Sequence, residues 1–154
     1  MISAPKGRVV DDREGLDAIL AAARRIAVLG IKTEAQAGQP AFDVPSYLQA
    51  HGFEIVPVPV YYPEITTILG RPVFRTVAEV PGDVDVVNVF RKGADVLAHV
   101  DDILAKKPKV VWMQLGIRND AAAARFVEAG IDVVQDRCIL VDHSQWRSRN
   151  PEPR

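Results

Sequence analysis

Residues 25–47, RIAVLGIKTEAQAGQPAFDVPSY, decide the fold of this chain. The stretch opens with an apolar run at residues 26–29, stops at Gly30, and continues through a polar loop to Pro40. The residues that follow, AFDVP at 41–45, are typical of the start of a helix. A strand, a loop of small residues and a helix N-terminus, in that order, present unpaired backbone amides that carry partial positive charge. The stretch therefore predicts a phosphate-binding loop and a ligand of the nucleotide type.

Composition places the chain among ordinary globular proteins. It has 154 residues, of which 48% are hydrophobic and 25% are charged, so a single domain with its own core is expected over residues 1–154. Residues 1–10 and 147–154 are expected to be flexible lead-in and tail segments. The one cysteine, Cys138, excludes an internal disulfide and a metal site built from cysteines.

Charge and hydropathy bear on partners and location. The net charge is −1, so no chain-wide positive field favours nucleic acid or an anionic membrane. No apolar run approaches the roughly 20 residues that a membrane span needs. The first 15 residues lack the apolar centre of a secretion signal. We therefore expect a cytoplasmic protein that binds neither nucleic acid nor membrane.

The rest of the chain alternates strand-like and helix-like segments. Apolar strands begin near residues 25, 54, 84, 109 and 131, and helical patterns cover 11–24, 44–50, 94–106 and 119–129. This alternation predicts a doubly wound, Rossmann-like α/β fold: a parallel five-stranded sheet of order 3-2-1-4-5 within three αβα layers. A short helix is expected at residues 77–80, and a short strand or turn at 138–141.

In such sheets the ligand lies beyond the carboxyl ends of the strands. Positive charge follows four of the five strands, at Lys32, Arg91, Lys92, Arg118 and Arg137. The G-x-G-x-x-G fingerprint of dinucleotide binders is absent. The second strand is followed by Val58-Pro59-Val60, and no carboxylate occurs before Glu64 to hold a ribose diol. The pattern favours an adenine face or an aliphatic arm at that strand end.

Catalytic groups are poorly supported by the pattern. The three histidines, His51, His99 and His143, lack the spacing of metal ligands. No serine lies in a nucleophile-elbow motif. The thiol of Cys138 follows Arg137, which favours the thiolate. The sequence therefore favours a binding protein without chemistry of its own and leaves open an NAD(P)-type oxidoreductase or an enzyme that depends on Cys138.

Five pieces of the chain together resemble a known family. They are AVLG (27–30), QPAFDVPSYL (39–48), VNVFR (87–91), VVWMQLGI (110–117) and DVVQDRCILVDH (132–143). The chain resembles the small single-domain CoA-binding proteins, whose fold is similar to the CoA-binding domain of the succinyl-CoA synthetase alpha subunit. The resemblance covers residues 24–146. Two positions depart from the family pattern: Ala41 stands where a serine is common, and Asp43 where a basic residue is common.

The resemblance implies non-covalent binding of CoA or an acyl-CoA, with no metal and no catalytic residues. It implies that a phosphate lies over Gly30, Ile31 and Lys32 and the helix start at Ala41 and Phe42. It implies that Val58 and Pro59 line the adenosine end. It also implies that Val89, Phe90 and Arg91, with Gln114, Gly116 and Ile117, wall the rest of the ligand; the strand-end charge adds Arg137. The reaction of the synthetase needs a further domain, so the resemblance implies no ligase reaction. Carriage, sensing or regulation stay open, as do a protein partner and a homo-oligomer.

Overall fold

The structure is a computed structural model that describes residues 6–151. The α-helices are α1 (Arg13–Ala22), α2 (Pro40–Ala50), α3 (Val100–Lys106), α4 (Asp120–Glu128) and α5 (Ile139–Arg149). The strands are β1 (Arg25–Leu29), β2 (Glu54–Val58), β3 (Thr67–Ile68), β4 (Arg71–Pro72), β5 (Val86–Val89), β6 (Val110–Met113) and β7 (Asp132–Val134). Short 3₁₀ helices occupy Glu34–Gln36 and Gly93–His99.

Five of these strands form one parallel sheet in the order β2-β1-β5-β6-β7. Helices cover both of its faces, so the doubly wound, three-layer α/β class is confirmed. Strands that are buried on both faces are typical of such sheets, and all four residues of β5 and of β6 are buried. The register places Leu29 beside both Val58 and Val89, so the carboxyl ends of the three strands lie level.

The predicted strand order, 3-2-1-4-5, is wrong. Counted in the same way, the observed order is 2-1-3-4-5, because β5 pairs with β1 and not with β2. The outer edge of β2 is occupied by the segment that leaves the β3–β4 hairpin: the Phe74 amide donates to the Pro57 carbonyl at 3.0 Å. The next strand therefore takes the free edge of β1. The strand order reverses between β1 and β5, which makes that junction the topological switch point.

Side chains alternate between two cores, one on each face of the sheet. Ile26 and Val28 of β1 face the layer of α1, α2 and α5, where Trp112 and Leu48 are fully buried. Ala27 and Leu29 face the opposite layer, which is built by α3 and α4. Both cores reach the carboxyl ends of the strands, and this packing fixes the loops that follow them.

Several element boundaries differ from the predictions. Helix α2 begins at Pro40, four residues earlier than expected, because proline suits the first helical position. Residues 77–80 form a turn and not a helix, and the carboxylate of Asp102 accepts the amides of Val77 and Ala78 at 2.8 and 2.9 Å. Residues 139–141 start α5, where a short strand or turn was expected.

The described parts of the two terminal segments, which were expected to be a flexible lead-in and tail, contact the rest of the fold. The Val10 amide donates to the Val133 carbonyl at 2.7 Å, which lays the first described residues along the edge of β7. At the other end, α5 continues to Arg149, whose guanidinium donates two hydrogen bonds to Asp17 at 2.7 and 3.0 Å. The remainder of the two expected segments, residues 1–5 and 152–154, lies outside the described residues.

Candidate functional site

Gly30 ends β1 at the switch point and contacts both neighbouring strands. Its amide donates to the Val58 carbonyl at 2.8 Å. Its φ is +87°, and a Cβ atom at this position would lie 2.3 Å from the Phe90 carbonyl oxygen. Glycine is therefore required here by the close approach of β1 and β5 and by the left-handed backbone, independently of any ligand.

The loop after Gly30 folds back onto the start of α2. The Lys32 amide donates to the Ala41 carbonyl at 3.1 Å, and the Lys32 ammonium contacts the side-chain oxygen of Gln39. Farther along the loop, the Gly38 amide donates to the carboxylate of Asp43 at 2.9 Å. Asp43, which departs from the family pattern, thus has a local role: its carboxylate holds the loop against the first helical turn.

The backbone amides at this junction differ in whether they have a hydrogen-bond acceptor. The amides of Phe42 and Asp43 both donate to the Gln39 carbonyl, at 3.0 and 2.9 Å, and Gln39 makes no side-chain cap. Among residues 6–151, no group accepts a hydrogen bond from the amides of Ile31 and Ala41. The Ile31 side chain is buried in the core, so only its backbone is available. Unpaired amides beside a helix N-terminus suit an anion.

The end of β2 offers apolar surface. Val58 and Pro59 are buried, whereas Val60 and Tyr61 are exposed. No carboxylate belongs to this stretch. The exposed apolar surface therefore belongs to Val60 and Tyr61 and not to the predicted Val58 and Pro59, and the stretch lacks the acidic residue that a ribose diol needs.

Arg91 follows β5 and lies over Gly30. Its Cδ atom is 3.3 Å from the position that a Cβ atom on Gly30 would take. The guanidinium donates from Nε to His99 Nε2 at 3.2 Å and from Nη1 to Tyr61 Oη at 3.4 Å. Asp95 lies 3.8 Å from Nη2, and 17% of the Arg91 side chain is exposed. Arg91 therefore places a fixed positive charge at the junction of β1 and β5.

The ends of β6 and β7 are joined by polar contacts. The side-chain oxygen of Gln114 is buried and accepts from the Ile139 amide and from Asn88 Nδ2, both at 3.3 Å. The Gly116 amide donates to the Asp136 carboxylate at 2.7 Å. These contacts connect three strand ends to the start of α5. The carboxylate of Asp136 thereby caps the turn at Gly116.

Asn88 is a buried polar residue on the central strand that the sequence did not connect to the site. Its Nδ2 donates to the Trp112 carbonyl and to Gln114, whereas its Oδ1 is buried without a partner. The only sequence signal was an asparagine within an otherwise apolar strand. The pairing with Gln114 depends on the neighbouring strands and could not be derived from either residue alone.

Arg137 differs from the other cations at the strand ends. Its guanidinium donates to both carboxylate oxygens of Asp142, at 2.8 and 2.9 Å. This bidentate hydrogen bonding raises the pKa of Arg137 above its ordinary value. Asp142 is almost fully buried, so the fork of Arg137 is already occupied by a strong partner.

Cys138 is half-buried and precedes α5 as its N-cap. Each histidine is engaged elsewhere: His51 with the Tyr47 carbonyl, His99 with Arg91, and His143 with the Tyr47 hydroxyl. Within the described part of the chain, no histidine is therefore paired with the thiol. The same residues hold no group of three or more His, Cys, Asp or Glu side chains that could bind a metal.

The predicted site residues belong to the loops at one edge of the sheet, to the strand positions directly before those loops or, for Ala41 and Phe42, to the first turn of α2. These residues are Gly30, Ile31, Lys32, Ala41, Phe42, Val58, Pro59, Val89, Phe90, Arg91, Gln114, Gly116, Ile117 and Arg137. Phe42, Val58 and Val89 are buried and shape the edge from below. Tyr61 and His99 contact Arg91 but were not among the predicted residues, because neither adjoins a strand end in sequence.

Comparison with known proteins identifies the class to which this fold and edge belong. A family model described as a CoA binding domain matches residues 24–144. This match spans all seven strands, and the chain belongs to the CoA-binding domain family. The resemblance seen in the sequence is therefore confirmed. No helix within residues 6–151 has both the length and the hydrophobicity to cross a bilayer.

The chain is similar along most of its length to individual known proteins. It is 32% identical over 126 residues to the protein named "Uncharacterized protein YneT" of Bacillus subtilis (strain 168), covering 82% of this chain and 90% of that one. A solved structure from Thermus thermophilus is 33% identical with a TM-score of 0.80, covering 88% of this chain and 99% of that one.

A more distant similarity extends to a larger protein. The dinucleotide-forming acetyl-coenzyme A synthetase 1 of Ca. Korarchaeum cryptofilum is 19% identical, with a TM-score of 0.58. The shared part covers 71% of this chain and 25% of the synthetase. At this identity the similarity shows a common fold. In the synthetase, the matching domain is one part of a longer chain.

Proposed function

We propose that this chain binds CoA or an acyl-CoA non-covalently along the carboxyl edge of its sheet. The observation that carries the proposal is the family match over residues 24–144, which includes every strand end at that edge. The geometry of the edge supports it. Two unpaired amides and a fixed arginine flank the switch point, where open α/β sheets bind their ligands.

A phosphate of the ligand is held by the amides of Ile31 and Ala41, with Lys32 as a nearby cation. Backbone amides at a helix start suit a phosphate because their hydrogen atoms and the helix dipole both face the negative charge. The Lys32 ammonium is tied to Gln39 and not to a carboxylate, so its charge is not neutralised by that contact. A phosphate that binds beside Lys32 therefore does not have to break a salt bridge first.

The apolar parts of the ligand lie to either side of the phosphate. Val58 and Pro59 lie buried beneath the position proposed for the adenosine, and the lack of a carboxylate beside them favours CoA over a dinucleotide with a free ribose diol. Val89, Phe90 and Ile117 lie where the arm of the ligand leaves the switch point. Phe90 is half-buried, so part of its ring is available to a ligand.

Binding without chemistry is the role that these contacts favour. All three histidines are engaged by other groups, and none is paired with Cys138. The proposal is tested by calorimetric titration of the purified protein with CoA, acetyl-CoA, NAD and ATP. We expect saturable binding of CoA or acetyl-CoA with one site per chain. Binding of NAD in the absence of CoA binding would contradict the proposal and favour an oxidoreductase.

A further inference from the structure

The guanidinium of Arg91 is surrounded by side chains from two separate segments. Tyr61 comes from the connector after β2, and its ring centroid lies 5.6 Å from the Arg91 Cζ atom. Asp95 and His99 come from the 3₁₀ helix after β5. Tyr61 is 63% exposed, so its ring and hydroxyl are accessible beside Arg91. Three neighbours thus converge on a residue that the family resemblance assigns to the ligand.

We propose that His99 and Tyr61 are positioning residues that hold the Arg91 guanidinium in the orientation that receives a phosphate group of CoA. The inference rests on the proposed function and extends it to residues outside the strand ends. His99 accepts the Arg91 Nε hydrogen at 3.2 Å, and the Tyr61 hydroxyl accepts from Nη1 at 3.4 Å. These two contacts lie on different sides of the planar guanidinium and fix its rotation.

The fixed guanidinium keeps donors for a ligand. An arginine side chain carries five N–H groups, and His99 and Tyr61 each accept one. Asp95 is 3.8 Å from Nη2, which is too long for a hydrogen bond. The aliphatic part of the side chain lies against Gly30, next to the unpaired amide of Ile31. A guanidinium held in this way loses little further freedom when a phosphate binds.

His99 can accept this hydrogen bond only while its Nε2 is unprotonated. Burial lowers the pKa of His99, and the positive charge of Arg91 lowers it further, whereas Asp102 and Asp95 oppose these effects. Asp102 belongs to α3 and already accepts the amides of Val77 and Ala78. His99 is therefore neutral at neutral pH. When it is protonated in acid, it loses the acceptor and repels Arg91.

The decisive experiment compares two substitutions of His99 by calorimetric titration with CoA at pH 7.5. The amide oxygen of His99→Gln takes the place of Nε2 as acceptor, so the affinity is expected to stay within about twofold of the unsubstituted protein. His99→Leu has similar bulk and no acceptor, and is expected to weaken binding by about five- to tenfold, which is in the range of a typical lost hydrogen bond. Equal affinity of the two variants would overturn the inference.

The pH profile separates positioning from a purely structural role. A phosphate group titrates near pH 6, so the affinity of every variant changes with pH. The informative quantity is the difference in the pH dependence of CoA affinity between the unsubstituted protein and His99→Gln. The affinity of the unsubstituted protein should fall more steeply from pH 7 to 5 than that of His99→Gln, because only the former loses its acceptor. Parallel profiles would contradict the positioning role of His99.

Tyr61 is tested in the same way. Tyr61→Phe keeps the ring over Arg91 and removes the hydroxyl, whereas Tyr61→Ala removes both. We expect a graded loss of CoA affinity, about threefold and then about tenfold. A loss for neither variant would remove Tyr61 from the proposal. Thermal unfolding of each variant controls for damage to the fold.

A measurement without ligand tests the pairing itself. The His99 ring can be titrated by NMR in the unsubstituted protein and in Arg91→Gln, and its pKa should rise when the neighbouring positive charge is removed. An unchanged pKa would contradict the contact. If the unsubstituted protein binds no CoA, the proposed function fails, and this inference fails with it. If it binds CoA equally well without the His99 acceptor, only the inference fails.

Discussion

The carbonyl oxygen of Phe90 lies 2.3 Å from the position that a Cβ atom on Gly30 would occupy. This distance is far inside van der Waals contact. It shows how closely the ends of β1 and β5 approach at the point where the strand order reverses. The carboxyl edge of the sheet is therefore built on a backbone contact that tolerates only glycine.

Gly30→Ala should destabilise the fold. The new methyl group would clash with the Phe90 carbonyl, and the residue would be forced to keep a φ of +87°. We expect a loss of about 2–4 kcal/mol in the free energy of unfolding, from left-handed strain and overpacking together. Urea unfolding followed by circular dichroism measures this loss.

Gly38→Ala is the matched control: its φ is +100°, and no atom lies within 4 Å of the added methyl group. If the two variants lose the same stability, the close contact is not the cause.

Arg91→Ala should weaken CoA binding and leave the fold intact. The substitution removes the fixed positive charge at the switch point and its donors, which corresponds to about 10- to 100-fold in affinity for a charge-assisted hydrogen bond. Titration calorimetry measures the affinity, and circular dichroism checks the fold. Arg125→Ala is a suitable control, because Arg125 of α4 pairs with the exposed Asp101 of α3. Unchanged CoA affinity in Arg91→Ala would remove this residue from the site.

His143 should make the fold less stable in acid. It is almost fully buried, its Nδ1 lies 2.8 Å from the Tyr47 hydroxyl, and its ring packs against those of His51, Phe53 and Trp146. Burial lowers the pKa of His143, and His51 and Arg147 lower it further. The unfolded chain, with an ordinary pKa of about 6.5, then binds more protons than the folded chain below that pH.

Because of proton linkage, the stability that His143 contributes is complete above about pH 6.5. It is lost as the pH falls from there towards the lower pKa that His143 has in the folded protein. Urea midpoints at pH 7.5 and 5.0 measure the effect. His143→Gln removes this titration, so its midpoint should change less between the two pH values. His99 has a lowered pKa as well, so a residual dependence is expected. The same pH dependence in both proteins would exclude His143 as a contributor.

Cys138→Ser should leave CoA binding unchanged. Cys138 caps α5 without a histidine partner in the described structure, and serine is a favourable residue at a helix N-cap. We expect an affinity within about twofold of the unsubstituted protein and no loss of stability beyond about 1 kcal/mol. Equilibrium titration and urea unfolding measure the two quantities. A turnover that is lost in this variant would instead support an enzyme that depends on the thiol.

The layers of the fold follow from the sequence because each depends on local periodicity. The apolar runs at residues 26–29 and 110–113 and the helical pattern before β1 are sufficient to predict a parallel sheet between helices. The strand order is not local. It depends on the β3–β4 hairpin, whose strands of two residues each carry too little pattern to reveal that they protect the edge of β2. Short apolar runs are similarly ambiguous, which explains why the start of α5 was taken for a strand or turn.

The candidate site, like the fold, could be predicted from the sequence only in part. Which residues end the strands is readable from the sequence, so Gly30 and Arg91 could be named. The sequence does not show which positive charges remain available to a ligand. In the described structure, Arg137 is bound by the carboxylate of Asp142, whereas the Lys32 ammonium contacts the neutral side chain of Gln39. Both partnerships depend on how a loop meets a helix. The partners of Arg91 come from segments distant in sequence and could be found only in the folded chain.

The most direct measurement is a ¹H–¹⁵N NMR titration of the labelled protein with CoA. If the carboxyl edge of the sheet binds the ligand, the largest shifts should fall on the amides of Ile31, Lys32 and Ala41, with the Arg91 Nε–H signal also moving. Identical titration with NAD should leave these signals in place. Absence of any shift with CoA, or shifts confined to the opposite edge around His51 and Asn150, would contradict the account.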